Sequence, residues 1–119
     1  MHRYKDLKLW VKSRNLCLEI YNQTKLFPKE ENYCLTQQIR RCAISIPSNI
    51  AEGAGRNSDK EFINFLSISN GSTFELNTQL DIANKLKYIN DNDYKKIEAM
   101  IVEIQNMNFS LQKKLKSSM

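Results

Sequence analysis

Glycine and proline are scarce in this chain of 119 residues, numbering three and two. Few residues are therefore suited to turn the backbone, which implies few, long elements. No run of about 18 apolar residues is present, and the opening MHRYKDLKLW lacks an apolar signal core. Neither a membrane span nor secretion is indicated, so a cytoplasmic protein is the expectation. Histidine occurs once, as His2 in a terminus that reads as disordered. No His, Cys and carboxylate cluster has ligand spacing, and no glycine-rich phosphate loop is present, so the residues point away from an enzyme, a metal or a cofactor. Cys17, Cys34 and Cys42 are odd in number and widely spaced. That spacing suits neither a disulfide framework nor a metal pair, and all three read as small buried hydrophobes.

The composition that remains is that of one ordinary globular unit. Hydrophobic residues make up 41% and charged residues 26% of 13.9 kDa, enough for a single core and a single domain spanning 1–119. The net charge is +5, which permits a polyanionic partner without requiring one. Its distribution is uneven. Residues 1–56 hold ten Lys and Arg against five Asp and Glu, whereas residues 57–119 hold eight of each. All five arginines, Arg3, Arg14, Arg40, Arg41 and Arg56, lie in the first half, and Arg is the better fork for a phosphate. Lys113, Lys114 and Lys116 near the end read as a frayed helix terminus.

Four helices and no strand follow from the periodicity. In residues 7–24, Leu7, Trp10, Val11, Arg14, Cys17, Leu18 and Tyr21 recur at steps of three and four, forming one mostly apolar stripe. A second helix is expected from Pro28 or just after it to Gly53 or Gly55, where a glycine can adopt the left-handed stop. Ser58-Asp59-Lys60-Glu61 is a reciprocal capping signature for the third helix. Its core stripe is Phe62, Phe65, Leu66, Ser69, Thr73, Leu76, Leu80 and Ala83. Asn90 caps the fourth helix, with Asp91 and Asp93 in its first turn and Ile97, Ile101, Ile104, Leu111 and Leu115 on its core face. Short links make neighbours antiparallel, so an up-down-up-down four-helix bundle is the simplest assembly.

The third helix carries a second apolar side. Ile63, Ile68, Phe74 and Ile82, with Gly71 among them, project away from the core stripe, where a lone bundle should be polar. A mid-helix glycine costs roughly 1 kcal/mol relative to Ala, and close approach of another backbone is a common compensation. A subunit interface through this face is the favoured reading, and a scatter of exposed apolar side chains the alternative.

Function is most legible on the second helix. Leu35, Ile39, Cys42, Ala43, Ile46, Ile50 and Ala54 form its core side. Opposite lie Gln37, Gln38, Arg41, Ser45, Ser48, Asn49, Glu52 and Arg56, within about 120° of arc. Arg40, Ile44, Pro47 and Ala51 fall between the two sides. Amides, hydroxyls and guanidinium groups suit fixed hydrogen bonds, to a neighbouring subunit or to a phosphate backbone. Pro47 removes a helical donor and requires a kink or brief break. Ser45, Ser48 and Asn49 are placed to replace the lost bond locally, a structural role at least as natural as a ligand role. Glu52 and Arg56 have the favourable order for an ion pair, and Arg41 and Arg56 are expected to keep Glu52 ionised.

The run FPKEENYCLTQQIRRCAISIPSNIAEGAGR from Phe27 to Arg56 resembles the bacterial four-helix-bundle family of 23S rRNA intervening-sequence proteins. So do Glu61 to Leu66, Gly71-Ser72, and Asp6 to Trp10 with Tyr21. The resemblance spans nearly the whole chain. Its specific signature is SIPSNIAEG, which includes Ser45, Pro47, Asn49, Glu52 and Gly53. Cys34 stands where the family usually has Gly, and Cys42 where it usually has Ala. The resemblance implies a closed antiparallel bundle, commonly a homopentameric ring. It extends to accessory variability proteins of diversity-generating retroelements, which are thought to bind nucleic acid. The expected function is therefore a non-enzymatic nucleic-acid-binding or ribonucleoprotein-scaffold module. Arg40, Arg41 and Arg56 are its first candidate phosphate contacts, and Lys60 with the Lys113 to Lys116 tail are weaker ones. The alternatives are structural ion pairs for the arginines and, for the whole chain, an oligomer that docks a protein partner and has no nucleic-acid affinity.

Overall fold

Both polar helix starts form caps in the computed structural model, which describes all 119 residues. Ser58 accepts a hydrogen bond from the Glu61 backbone N–H at 3.2 Å, and Asn90 accepts one from the Asp93 N–H at 2.8 Å. Each satisfies one of the donors that a helix start leaves unpaired. The Glu61 carboxylate takes the Ser58 hydroxyl at 3.2 Å rather than a backbone N–H, so the serine half of the expected reciprocal pair is the half that forms.

The helices are α1 (Lys8–Thr24), α2 (Leu35–Ala54), α3 (Asp59–Lys85) and α4 (Asp91–Ser117), with no strand. Each packs against its neighbour in sequence, and α4 also packs against α1, which closes the bundle around one cluster of 20 buried apolar residues. The core faces read for α2, α3 and α4 are the buried ones, with Leu35, Phe65 and Leu111 only partly covered. Buried Asn108 joins α4's face and donates to the Leu66 carbonyl at 3.0 Å.

The face of α1 differs from the expected stripe. Its buried residues are Leu9, Ser13, Leu16, Ile20 and Thr24, while Arg14 and Leu18 are exposed and Trp10, Val11, Cys17 and Tyr21 are half-buried. Two polar members dilute the true stripe, whereas the more apolar one lies along its flank. Ile63 is likewise displaced, being partly buried and packed against the core rather than facing away from it.

Five further expectations change. A short 3-10 turn at Lys29–Glu31 follows Pro28, and α2 begins only at Leu35. α2 runs unbroken through Pro47. It ends with Gly55 at φ −84°, not in the left-handed region; Lys87, in the α3–α4 link, is the one residue with positive φ, at 69°. The basic tail is helical through Ser117, with Leu115 buried. His2 is not loose either: its N–H donates to the Ala54 carbonyl at 2.7 Å, and its ring lies 3.0 Å from Asp59 and 5.0 Å from the Phe62 ring centroid. At the other end, the Tyr88 hydroxyl donates to Glu31 at 2.9 Å and Phe27 packs on the Tyr88 ring.

Two glycines inside helices have opposite surroundings. A Cβ on Gly53 would lie 2.6 Å from the Phe65 Cβ and 2.9 Å from a Phe62 ring carbon, so α2 approaches α3 here by omitting a side chain. A Cβ on Gly71 would meet nothing within 4 Å. Gly53→Ala is expected to lower stability by about 1–3 kcal/mol through overpacking. Gly71→Ala is expected to raise protomer stability by up to about 1 kcal/mol through helix propensity. Urea unfolding followed by circular dichroism checks both signs.

Candidate nucleic-acid interface

Because α1 buries the Leu9, Leu16 and Ile20 stripe, its second apolar stripe lies outside the core, along the outer edge of α2. Three depressions follow this α1–α2 seam. One of about 390 Å³ is lined by Met1, His2, Arg3, Tyr4, Lys5, Ala51 and Gly55. It shares Tyr4 and Ala51 with a second of about 360 Å³, where Trp10, Arg14, Cys17 and Leu18 face Ile44, Pro47 and Ser48. Ile44 then joins it to a third of about 360 Å³, lined also by Tyr21, Asn32, Thr36, Gln37, Arg40 and Arg41. Arg3, Lys5, Arg14, Arg40 and Arg41 all line the seam, and no Asp or Glu does. Only Arg3 among them forms an ion pair, with Asp6 at 3.4 Å across an exposed site.

Aromatic rings alternate with these cations. The Arg14 guanidinium sits 5.3 Å from the Trp10 ring centroid, and that of Arg40 sits 4.7 Å from Tyr21. Such pairings contribute roughly 0.5–1 kcal/mol at exposed sites. Tyr4 meets Trp10 edge-on, with centroids 5.0 Å apart. Arg40 is held further by its Nε, which donates to the Thr24 hydroxyl at 2.8 Å. Thr36, whose hydroxyl is buried without a partner, lines the same depression as Arg40.

The expected polar face of α2 divides among three depressions. Gln37, Gln38, Arg41, Ser45 and Asn49 line a depression of about 530 Å³ against α3, together with Ser72, Glu75 and Gln79. There the Ser45 hydroxyl lies 2.6 Å from the Cys42 carbonyl and 2.8 Å from the Ser72 hydroxyl, and the Asn49 amide donates to the Ser45 carbonyl at 2.8 Å. These donors serve the Cys42 and Ser45 carbonyls, while Ser48 faces the seam. Pro47 also lines the seam, and Gly53 makes the close approach to α3.

The four basic candidates are not brought together. Arg40 and Arg41 share one depression. Arg56 reaches Glu52 at 3.9 Å, lies 4.8 Å from the Phe65 ring centroid, and lines a depression that borders the seam at Ala51 and Gly55 and contains Glu52 and Glu61. Lys60 is exposed at the start of α3 and lines none of these depressions. Arg41 stands eleven residues from Glu52, about 16 Å along a helix, so Arg56 is that carboxylate's partner. Trp10, Arg14, Tyr21, Arg3 and Lys5 line the seam without being among the residues the sequence singles out for a site, and Arg14 amid a stripe read as buried is the available signal.

α3 exposes Ile68, Phe74 and Ile82 and leaves Gly71 open, with Ile68 also lining the α2–α3 depression that holds Arg41. Phe109, 69% exposed, and Val102 on α4 add to the exposed apolar surface. No group of three or more His, Cys, Asp or Glu side chains is placed to hold a metal ion, and no helix is long and apolar enough to cross a membrane.

The profile of the 23S rRNA-intervening sequence protein family matches residues 5–110. The chain belongs to that family. Among solved structures it is similar to a protein of unknown function from the S23 ribosomal protein family of Bacteroides thetaiotaomicron. The two are 28% identical with a TM-score of 0.81, over 88% of this chain and 98% of the other. No curated protein matches the chain.

The cysteines, where two depart from the usual family residues, are not uniformly buried. Cys42 is buried, with its thiol 3.1 Å from the Ser72 carbonyl; Cys17 is half-buried and Cys34 exposed. Burial pushes Cys17 up, and burial with the neighbouring Glu75 carboxylate pushes Cys42 up to about 12. The thiolate is the reactive form. Ellman's reagent at mildly alkaline pH is therefore expected to label Cys34 rapidly, with Cys17 and Cys42 following only as the chain unfolds; peptide mass mapping identifies the labelled residue.

Proposed function

We propose that this chain is a non-enzymatic nucleic-acid-binding module, a scaffold for a ribonucleoprotein, whose contact surface is the α1–α2 seam. The observation that carries the reading is the seam's lining: five cationic side chains and no carboxylate along three joined depressions. A merely solvated basic face would interleave Asp and Glu, as happens at Arg56 and beside Arg41 on its α3 side. Arg40 and Arg41 keep their proposed phosphate role and are joined by Arg3, Lys5 and Arg14. Arg56 is satisfied by Glu52, and Lys60 is peripheral.

The helices in this reading run up-down-up-down. Supporting this, His2 meets Asp59 at one end, Tyr88 meets Glu31 at the other, and Ser45–Ser72 and Ile46–Ser69 contacts descend in opposite order along α2 and α3. The outer face of α3, with Ile68, Gly71, Phe74 and Ile82, is proposed to bind further copies of the chain. A homopentamer is the assembly that the family resemblance implies. Ile63 supports that face only from its packed flank. Repetition of the seam around a ring would multiply weak contacts without any single strong site.

Binding to RNA or DNA is expected to weaken steeply with salt. If all five cations engage, log K falls against log salt with a slope of about −3.5 for a single strand and −4.5 for a duplex. Arg14→Ala or Arg41→Ala is expected to reduce the slope by about 0.7–0.9, whereas Lys96→Ala, removing the same charge from exposed α4, leaves it unchanged. Equal affinity of all three variants in a salt-titrated anisotropy assay removes the seam from the reading. An absence of binding at low salt favours the protein-docking alternative. Light scattering at micromolar concentration is expected to show an oligomer that Phe74→Glu dissociates; a strict monomer overturns the assembly.

A further inference from the structure

We propose that the seam takes single-stranded nucleic acid, with an unpaired base stacked on Trp10. The inference rests on the nucleic-acid reading above and names the class of ligand. A duplex presents phosphates outward and keeps its base faces stacked on one another, so it can use the seam's cations but not its rings. An unpaired base has a free face, and alternating cations and aromatic rings are the surface that recognises it.

The geometry selects Trp10 over Tyr21. A guanidinium group sits over each ring, 5.3 Å from the Trp10 centroid and 4.7 Å from that of Tyr21, on the side from which a base would approach. Arg40 is anchored over Tyr21 by its 2.8 Å bond to Thr24. Arg14 is exposed, and its one side-chain bond is a 3.3 Å contact with the adjacent Asn15. Arg14 is thus free to swing from the indole to a phosphate while a base replaces it. The depression beside Trp10, about 360 Å³ and open to solvent, leaves room for this exchange. Its other walls, Leu18, Ile44 and Pro47, are apolar, as suits a base face, and no carboxylate repels the chain that follows.

Trp10 is the chain's one tryptophan, so its emission reports this site alone. The experiment titrates the full chain with a single-stranded DNA, the same sequence as RNA, the matched duplex and inorganic polyphosphate. Trp10 emission is followed in parallel with binding, itself read by competition against a labelled oligonucleotide. Both single strands are expected to quench Trp10, while duplex and polyphosphate bind with salt dependence and leave the emission unchanged. Trp10→Ala is expected to weaken single-strand binding by roughly 5- to 150-fold, with duplex binding nearly unaffected and Trp10→Phe recovering most of the loss. Circular dichroism checks that the variants fold, and the wild-type quenching stands independently of them. Binding of all four ligands without quenching, or equal quenching by polyphosphate, overturns the stacking and leaves the basic seam intact. Failure of every ligand to bind at low salt overturns both.

Discussion

The close approach of α2 to α3 at Gly53 governs the rest of the bundle. With no side chain there, the backbone of α2 comes against Phe62 and Phe65, which puts the four-residue link at the α2–α3 turn within reach of both helices. The same approach aligns Ser45 with Ser72 and brings the Ser69 hydroxyl within 3.0 Å of the Ile46 carbonyl. The Ser45, Ser69 and Ser72 hydroxyls are thus bonded across this interface, whereas Gln79 in the same groove keeps a buried Oε1 without a partner. The end of α2 also receives the N-terminus, since the Ala54 carbonyl accepts the His2 N–H. Many residues of the SIPSNIAEG run accordingly serve packing between helices, and the stretch most distinctive in sequence is not the stretch most exposed to a ligand.

Once α2 is committed to α3, α1 can only approach from the opposite flank. It brings two apolar stripes and has room to bury one. The buried stripe is Leu9, Leu16 and Ile20, with Ser13 and Thr24 included because their small hydroxyls cost little volume. Thr24 returns its hydroxyl to the Ile20 carbonyl at 2.8 Å and accepts from Arg40, so one buried side chain links the core face of α1 to the cationic edge of α2. The other stripe is left along the outside, interleaved with cations. An apolar and aromatic surface of this kind, with no acidic residue in its lining, differs in chemistry from the outer faces of α3 and α4, where exposed apolar side chains are mixed with charges of both signs.

Much of the fold was legible because periodicity reports helices directly. Ser58 and Asn90 marked two helix starts, and the isoleucines and leucines of α2 to α4 marked three core faces. α1 misled because apolarity is not burial: Trp10, Cys17, Leu18 and Tyr21 outnumber the apolar core residues Leu9, Leu16 and Ile20, and only Arg14 among them argued against the stripe. The site was half legible. Arg40 and Arg41 are on the seam, but grouping them with Arg56 assumed that one helix face meets one environment, whereas α2 is flanked by α1 on one side and α3 on the other. Contacts over long sequence separations, such as His2 with Ala54, leave no periodic trace. Nor does sequence distinguish a glycine pressed by a neighbour, as at Gly53, from one in open space, as at Gly71.

The division of charge along the chain becomes a division in space. α1 and α2, with the N-terminal segment, occupy one side of the closed bundle and hold the net excess of residues 1–56, while α3 and α4 form the opposite side and are close to balanced. The excess positive charge is therefore displaced toward the side of the molecule that carries the seam. Near a polyanion, within a screening distance of about 8 Å at physiological ionic strength, a torque turns the seam side forward before any contact is made. Orientation is thus partly settled during approach, and fewer encounters are wasted on the wrong face.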